Sequence, residues 1–375
     1  MSKKFYKKTF EFLSIIFIIA IVVKIAQQTI LPEKYFYDSK KILVLMDGFY
    51  EADRIYIVTA QIFNFINILK LDSLVEWSII LGIIFNIVVF CVLLFRNKSY
   101  TISEYIFIYA SIALLNIYVF NLSKDIIQFV VFFIIYAVIV NSKIKNFTKI
   151  ILITTILIIE ALTFRIYYGI MAMLLISIYC VYLLLMNKNR LNKSVFTNII
   201  IVGLAIFFIE IFIVSIISDT NYQSILYARS SVNMYREDDT DSVTIITDVL
   251  GENTNFVKFI GNYIINFIRM LIPVELLLKG VKYLPFVIYQ IYVSIKFFKT
   301  LKNISHSNIV LTLTLLTFFM ISVIFEPDFG SWIRHESAMM LIIIEMIKNI
   351  DNQKLDLKTE KIYEEIGENN IYDKS

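Results

Sequence analysis

Residues 309–336 read IVLTLTLLTFFMISVIF and then EPDFGSWIRHE. A run without a single charge ends in a gap that crowds Glu326, Asp328, Arg334, His335 and Glu336 together, and apolar residues resume at 337–350. This alternation decides the fold. An apolar run of about 20 residues is the length that carries a helix across a bilayer core. In lipid the backbone must satisfy its own N–H and C=O groups, so only helices and closed barrels span it. Barrel strands alternate apolar and polar residues, and this run does not. The chain reads as an all-α, polytopic membrane helical bundle.

The composition agrees. Hydrophobic residues make up 58% and charged residues 18%, where soluble domains carry about a quarter charged; the mean hydropathy is +0.74. Working outward from 309–325 and 337–350, similar runs fall at 10–30, 77–95, 101–120, 125–141, 148–164, 167–186, 195–217 and 281–298, giving about ten transmembrane helices. The first follows Lys3, Lys4, Lys7 and Lys8; it is too long for a signal peptide and lacks a small-residue cleavage site before Pro32, so it reads as an uncleaved span. Residues 1–350 form one transmembrane domain with external loops 31–76 and 218–280. Residues 351–375 are charged and apolar-poor, a loose cytoplasmic tail. Cys91 and Cys180 lie inside apolar runs, and two cysteines make no disulfide framework. The net charge of +4 is spread over the loops, so no nucleic-acid partner is expected.

Lys and Arg in short loops set the orientation. Lys3/Lys4/Lys7/Lys8, Arg96/Lys98, Lys143/Lys145/Lys149, Lys188/Arg190/Lys193 and Lys296/Lys299/Lys302 occupy alternate loops, which places both termini in the cytoplasm. The loops of unusual composition then face outward. Within the first, Ile55–Leu69 is apolar but interrupted by Thr59, Gln61, Asn64 and Asn67; counted as a span it breaks the charge alternation, so it reads as an interfacial or re-entrant helix. Asn262–Leu278, broken by Arg269, Pro273 and Glu275, reads the same way.

Candidate chemistry collects on that outer side. Ser123-Lys124-Asp125 opens a span: Ser123 suits an N-cap, and Asp125 suits the helix dipole. Lys124 is unexplained by capping; a Lys beside free N–H groups suits a phosphate, or it snorkels. Arg165 sits in an outer turn with Tyr167 and Tyr168, as an interfacial anchor or an anion ligand, and Glu160 one turn deeper is its expected partner. Glu210 lies deep in another span with no local partner, as ionisable residues facing a cavity do. Asp328, Arg334, His335 and Glu336 form the densest constellation: Arg binds a diphosphate bidentately, and a His or carboxylate moves a proton near neutral pH. Trp332 reads as an interfacial residue, and a capped turn with a salt bridge is the simple alternative. Arg229 and Arg236 precede Glu237–Asp241, where Asp238, Asp239 and Asp241 are oxygen ligands for a divalent cation or simply solvated charge. Zinc is not expected, since His306 and His335 fall on opposite faces. There is no Walker loop, dinucleotide fingerprint or Gly-x-Ser-x-Gly.

Several of these stretches carry a family likeness. Tyr37-Asp38-Ser39-Lys40-Lys41-Ile42, Asn121-Leu122-Ser123-Lys124-Asp125, Phe164-Arg165-Ile166-Tyr167-Tyr168 and Asp328-Phe329-Gly330-Ser331-Trp332-Ile333-Arg334-His335 resemble bacterial polysaccharide polymerases of the Wzy/EpsG type. The resemblance implies a GT-C-like glycosyltransferase in the bacterial cytoplasmic membrane, acting at its outer face on undecaprenyl-diphosphate-linked glycan, alongside a flippase or chain-length regulator. It implies Asp38 as general base, with Asp53 in reserve and His335 as the alternative. Lys124, Arg165 and Arg334 would bind the diphosphate, with Ser123, Asp125, Arg229, Asp328, Glu336 and Glu210 in support. No soluble cofactor is required, because the energy lies in the phosphate–sugar bond. A single-sugar transferase using a polyprenyl-phosphate donor shares all of this. A lipid-linked glycan flippase would instead line a central path with charge and pair broken helices.

Overall fold

In a computed structural model, residues 3–32, 36–48, 52–96, 100–186, 194–227 and 244–350 are described. Among them the chain is helical throughout, with no named strand. The helices are α1 (Lys3–Thr29), α2 (Tyr37–Met46), α3 (Arg54–Ile66), α4 (Leu74–Phe95), α5 (Ile102–Leu114, continued by a π-helical turn Leu115–Val119) and α6 (Lys124–Val140). They continue as α7 (Asn146–Thr163), α8 (Tyr167–Met186), α9 (Ser194–Ile217), α10 (Asp219–Leu226), α11 (Phe256–Leu271) and α12 (Glu275–Lys279). The last are α13 (Leu284–Lys302), α14 (Ile309–Phe325), α15 (Phe329–Ser337) and α16 (340–350).

Every apolar run marked in the sequence lies on a helix. Among the described residues five helices are long and apolar enough to cross a membrane: Thr9–Thr29, Leu74–Phe95, Ile102–Val119, Asn146–Thr163 and Tyr167–Leu185. Local sequence starts several of these helices. Ser73 accepts from the Glu76 N–H at the head of α4, and Thr101 with Glu104 forms a capping box on α5. The apolar stretch after Asp53 becomes α3, whose 13 residues reach only about 20 Å, short of the roughly 30 Å hydrocarbon core. It buries Tyr56, Thr59, Ala60 and Phe63 and leaves Phe65 and Ile66 exposed. The second irregular stretch divides at Ile272-Pro273 into α11 and α12, because Pro273 has no N–H to continue the ladder.

The quoted stretch 309–336 lies at the centre of the molecule. Every residue of α14 from Ile309 to Ile324 is buried, which is why its apolar character runs all round rather than along one stripe. The expected outer turn 326–336 is instead a helix: α15 starts as soon as Asp328 caps it, its carboxylate accepting from the Ser331 N–H at 2.8 Å. Trp332 is 1% exposed and is not an interfacial anchor; its indole N–H donates to Gln290 of α13 at 2.8 Å. That bond, with the ring against Phe319, sets how α15 is rotated about its axis.

Two ion pairs, one of them buried, fasten α16 at the far end of the bundle. Arg96 meets Glu345 at 2.8 Å, and Lys348 meets Glu104 at 3.0 Å. Removing one member leaves a buried charge unpaired. Lys348→Met is therefore expected to lower stability by about 3 kcal/mol, read as a fall in the thermal midpoint of detergent-solubilised protein.

Candidate functional site

The N-terminus of α6 brings the distant segments together. Asp125, in its first turn, has a side chain only 2% exposed. One oxygen accepts from Arg165 at 2.9 Å and faces His335 Nε2 at 3.2 Å. The other pairs with Arg334 Nε at 3.2 Å. Arg165, in the turn between α7 and α8, also donates to Gln128 at 2.8 Å and to the Tyr167 hydroxyl at 2.9 Å. His335 Nδ1 meets Glu326, at the end of α14, at 2.5 Å. These groups form a closed floor of mutually paired charge, the condition on which charge is tolerated out of water. Burial opposes ionisation of Glu326, yet His335 and Arg165 hold its carboxyl below the ordinary range. Burial likewise opposes the charge on Arg165, and Tyr167 and Asp125 more than restore it.

Above this floor lies a more open rim. Asp38, in the first turn of α2, accepts from the Tyr56 hydroxyl at 2.6 Å and pairs with Lys124 at 3.1 Å. Lys124 also donates to the Tyr56 hydroxyl at 2.9 Å. Lys41 and Lys124 both lie over the Tyr56 ring, at 4.2 and 4.5 Å from its centroid, a cation–π arrangement. The side chains of Arg334, Asp38 and Lys124 are 26%, 25% and 17% exposed. Arg334 Nε lies at ion-pair distance from Asp125 without a hydrogen bond to it; its terminal nitrogens bond no side chain among the described residues. Burial opposes ionisation of Asp38, but Lys124, Arg334 and the Tyr56 hydroxyl outweigh it and hold the carboxyl below its ordinary value.

Of the residues marked in the sequence, Asp38, Lys124, Asp125, Arg165, Arg334 and His335 converge. The others do not join them. Ser123 stands at the N-cap position of α6 but does not cap it; its hydroxyl donates to the Val119 carbonyl at 3.1 Å, because the preceding π-helical turn leaves that carbonyl within reach. Arg165 pairs with Asp125 rather than with Glu160, as the turn after Thr163 carries the guanidinium towards α6. Asp328 is the cap of α15; a Cβ at Gly330 would come within 3.0 Å of its carboxylate. Glu336, next to His335, points to the other side of α15. It is fully buried, neither oxygen is hydrogen-bonded, and burial pushes it up to about 8. Glu210 finds a partner in Ser177 of α8, at 3.2 Å. Arg229, Asp238, Asp239, Asp241 and the tail 351–375 lie outside the described residues. Among the described residues no group of His, Cys, Asp and Glu is arranged to hold a metal ion.

Tyr56, Gln128 and Glu326 belong to the site and the sequence reading did not select them. Gln128 carried a signal, a polar residue in a span one turn after Lys124 and therefore on its face. Glu326 was visible as part of the charged gap. Tyr56 carried none, since an aromatic residue near the start of an apolar helix is ordinary.

The two levels of the site differ in what they do for the fold. Asp125→Asn unpairs two arginines and is expected to lower stability by about 3 kcal/mol or more. Asp38→Asn, at the rim, is expected to lower it by about 1 kcal/mol or less. Thermal unfolding of both variants in detergent checks the ordering. No protein-family model, curated protein or solved structure matches this chain.

Proposed function

We propose that this chain is a polysaccharide polymerase, a glycosyltransferase that joins undecaprenyl-diphosphate-linked oligosaccharide repeat units at the outer face of the bacterial cytoplasmic membrane. In this reading the bundle is GT-C-like with about ten spans, both termini are cytoplasmic, and α2, α3, α11 and α12 lie on the outer side. The observation that supports it best is the rim of the site. One ionised carboxylate, Asp38, stands between two cations, Lys124 and Arg334, that keep side-chain surface open. An acceptor hydroxyl and a departing diphosphate need this set of charges side by side.

The chemistry follows from the geometry. The acceptor oxygen forms a bond to the anomeric carbon of the donor sugar as the bond from that carbon to the diphosphate oxygen breaks. The acceptor proton passes to Asp38, whose second contact, Tyr56, fixes the carboxylate orientation. Charge developing on the leaving diphosphate is met by Arg334 and Lys124, already oriented before reaction, which is where electrostatic catalysis gains most. Asp125 holds Arg334 from below by its Nε, leaving the two terminal nitrogens for a bidentate phosphate contact. His335 has both ring nitrogens engaged with Glu326, Arg165 and Asp125, so in this mechanism it steadies the floor, and Asp38 takes the proton.

Purified protein with a synthetic undecaprenyl-diphosphate oligosaccharide is expected to give a product ladder at repeat-unit spacing. Asp38→Asn should lower kcat by about 10²–10⁴, and Arg334→Ala by about 10²–10³. A single-step product would point to a simple sugar transferase, and full activity in Asp38→Asn would remove Asp38 as the base. The pH profile carries a sign. A carboxyl held below its ordinary value of about 3.9 stays ionised as acid is added. The rate should therefore stay flat from about pH 8 to pH 5 and fall only near or below about pH 4. The stabilisation from Asp38 is likewise present above its unfolded value and is lost as pH falls through the folded one.

A further inference from the structure

Another cation is buried in the bundle, and the mechanism above does not use it. Lys24 lies on α1, inside the first apolar run, and is 8% exposed. Its amine lies 2.6 Å from the Phe120 carbonyl, 3.0 Å from the Asn116 carbonyl, 2.8 Å from Asn121 Oδ1, 3.0 Å from the Ser78 hydroxyl and 3.5 Å from Gln27 Oε1. No carboxylate is among these partners. A lysine deep in an apolar segment is expensive and is retained where it does something specific.

Its partners show what that is. Asn116, Phe120 and Asn121 belong to the segment that joins α5 to α6. There the α-helix widens into the π-helical turn Leu115–Val119, with the Phe120 N–H reaching back to the Leu115 carbonyl at 2.7 Å. A helix end leaves carbonyls without partners and concentrates partial negative charge. Here side chains take them up. Lys24 covers Asn116 and Phe120, Gln27 donates to Ile117 at 3.0 Å, and Ser123 donates to Val119 at 3.1 Å. Asn86 and Asn116 exchange bonds at 2.9 and 3.1 Å beside the same amine. The stem of Lys24 reaches this place across Gly82, where a Cβ would lie 2.9 Å from its Cε. With the amine pinned at its far end, that stem has little room to move aside. Directly after this segment come Lys124 and Asp125.

We infer that Lys24 is a positioning residue: by gathering the carbonyls and the Asn121 side chain of segment 115–121, it fixes the entry of α6 and so the placement of Lys124 and Asp125 in the site. Gly82 belongs to the same device, as the gap through which the stem passes. The catalytic half of this inference rests on the glycosyl-transfer reading; the structural half does not.

Two measurements on Lys24→Met, which keeps the length of the stem and removes the amine, separate those halves. Amide hydrogen exchange in detergent is expected to rise about tenfold or more in peptides covering 115–125 and to stay at wild-type rates in α7 and α8. Unchanged exchange in 115–125 would overturn the inference. In the polymerisation assay, kcat is expected to fall at least tenfold while KM stays within about twofold. Wild-type kcat, or a change confined to KM, would overturn the role in catalysis. If exchange rises throughout the molecule the variant has lost its fold, and Gly82→Ala, which keeps the amine and displaces the stem, then decides. It should give the same local exchange increase, and wild-type exchange there would overturn the inference. Should wild-type protein make no product at all, the polymerase reading fails, and the exchange comparison still decides whether Lys24 holds this segment.

Discussion

The carboxylate of Asp125 is the constraint around which the candidate site is organised. It is almost wholly buried and holds Arg165, Arg334 and His335 at once. Those three partners come from the α7–α8 turn and from α15, far apart along the chain. Neither arginine could be held there without a counter-charge, since isolated ions removed from water are strongly disfavoured. Glu326 supplies the second negative charge through His335. The floor is therefore self-neutralising, and its geometry is fixed because each charge has several partners whose positions it restricts.

That floor gives the rim its character. Arg334 is held by Nε from below and Asp38 is held by Tyr56 and Lys124 from the side. The groups facing outward are thus presented with restricted freedom, which lowers the reorganisation required when a charged substrate arrives. The rim combines elements of three kinds: the short helices α2 and α3, the first turn of α6, and a short helix capped in the middle of the charged gap. The last of these has its rotation set by a core contact, Trp332 on Gln290.

Arg165 and Lys24 illustrate two ways of holding a cation inside the bundle. Arg165 meets carboxylate, phenol and amide groups together. Lys24 meets carbonyl, amide and hydroxyl oxygens, several of them released by a break in regular helix. Both sites lie against the same short segment, 115–125, where α5 ends and α6 begins. The irregular backbone there is enclosed by protein side chains, which is the condition under which non-helical backbone is tolerated at membrane depth.

The apolar runs were legible because lipid imposes one solution on them: their positions and helical state follow from length and composition alone. Ile55–Leu69 stood apart from the spans through its polar interruptions, and Asp38, Lys124, Asp125, Arg165, Arg334 and His335 were legible from their unusual chemistry in the gaps between apolar runs. What those residues touch was not legible. Periodicity places a side chain on a face of its own helix but says nothing of which helix stands opposite. Only the tertiary structure could therefore decide that Arg165 turns to Asp125 and not to Glu160, or that Glu336 points away from His335. It also decided that Trp332 is a core residue, that Tyr56 and Gln128 belong to the site, and that Lys24 reaches segment 115–121. Sequence determined which segments are buried, because burial depends on the solvent each segment can tolerate. Tertiary structure determined the pairing of charges, because pairing depends on distances across the bundle that no local pattern records.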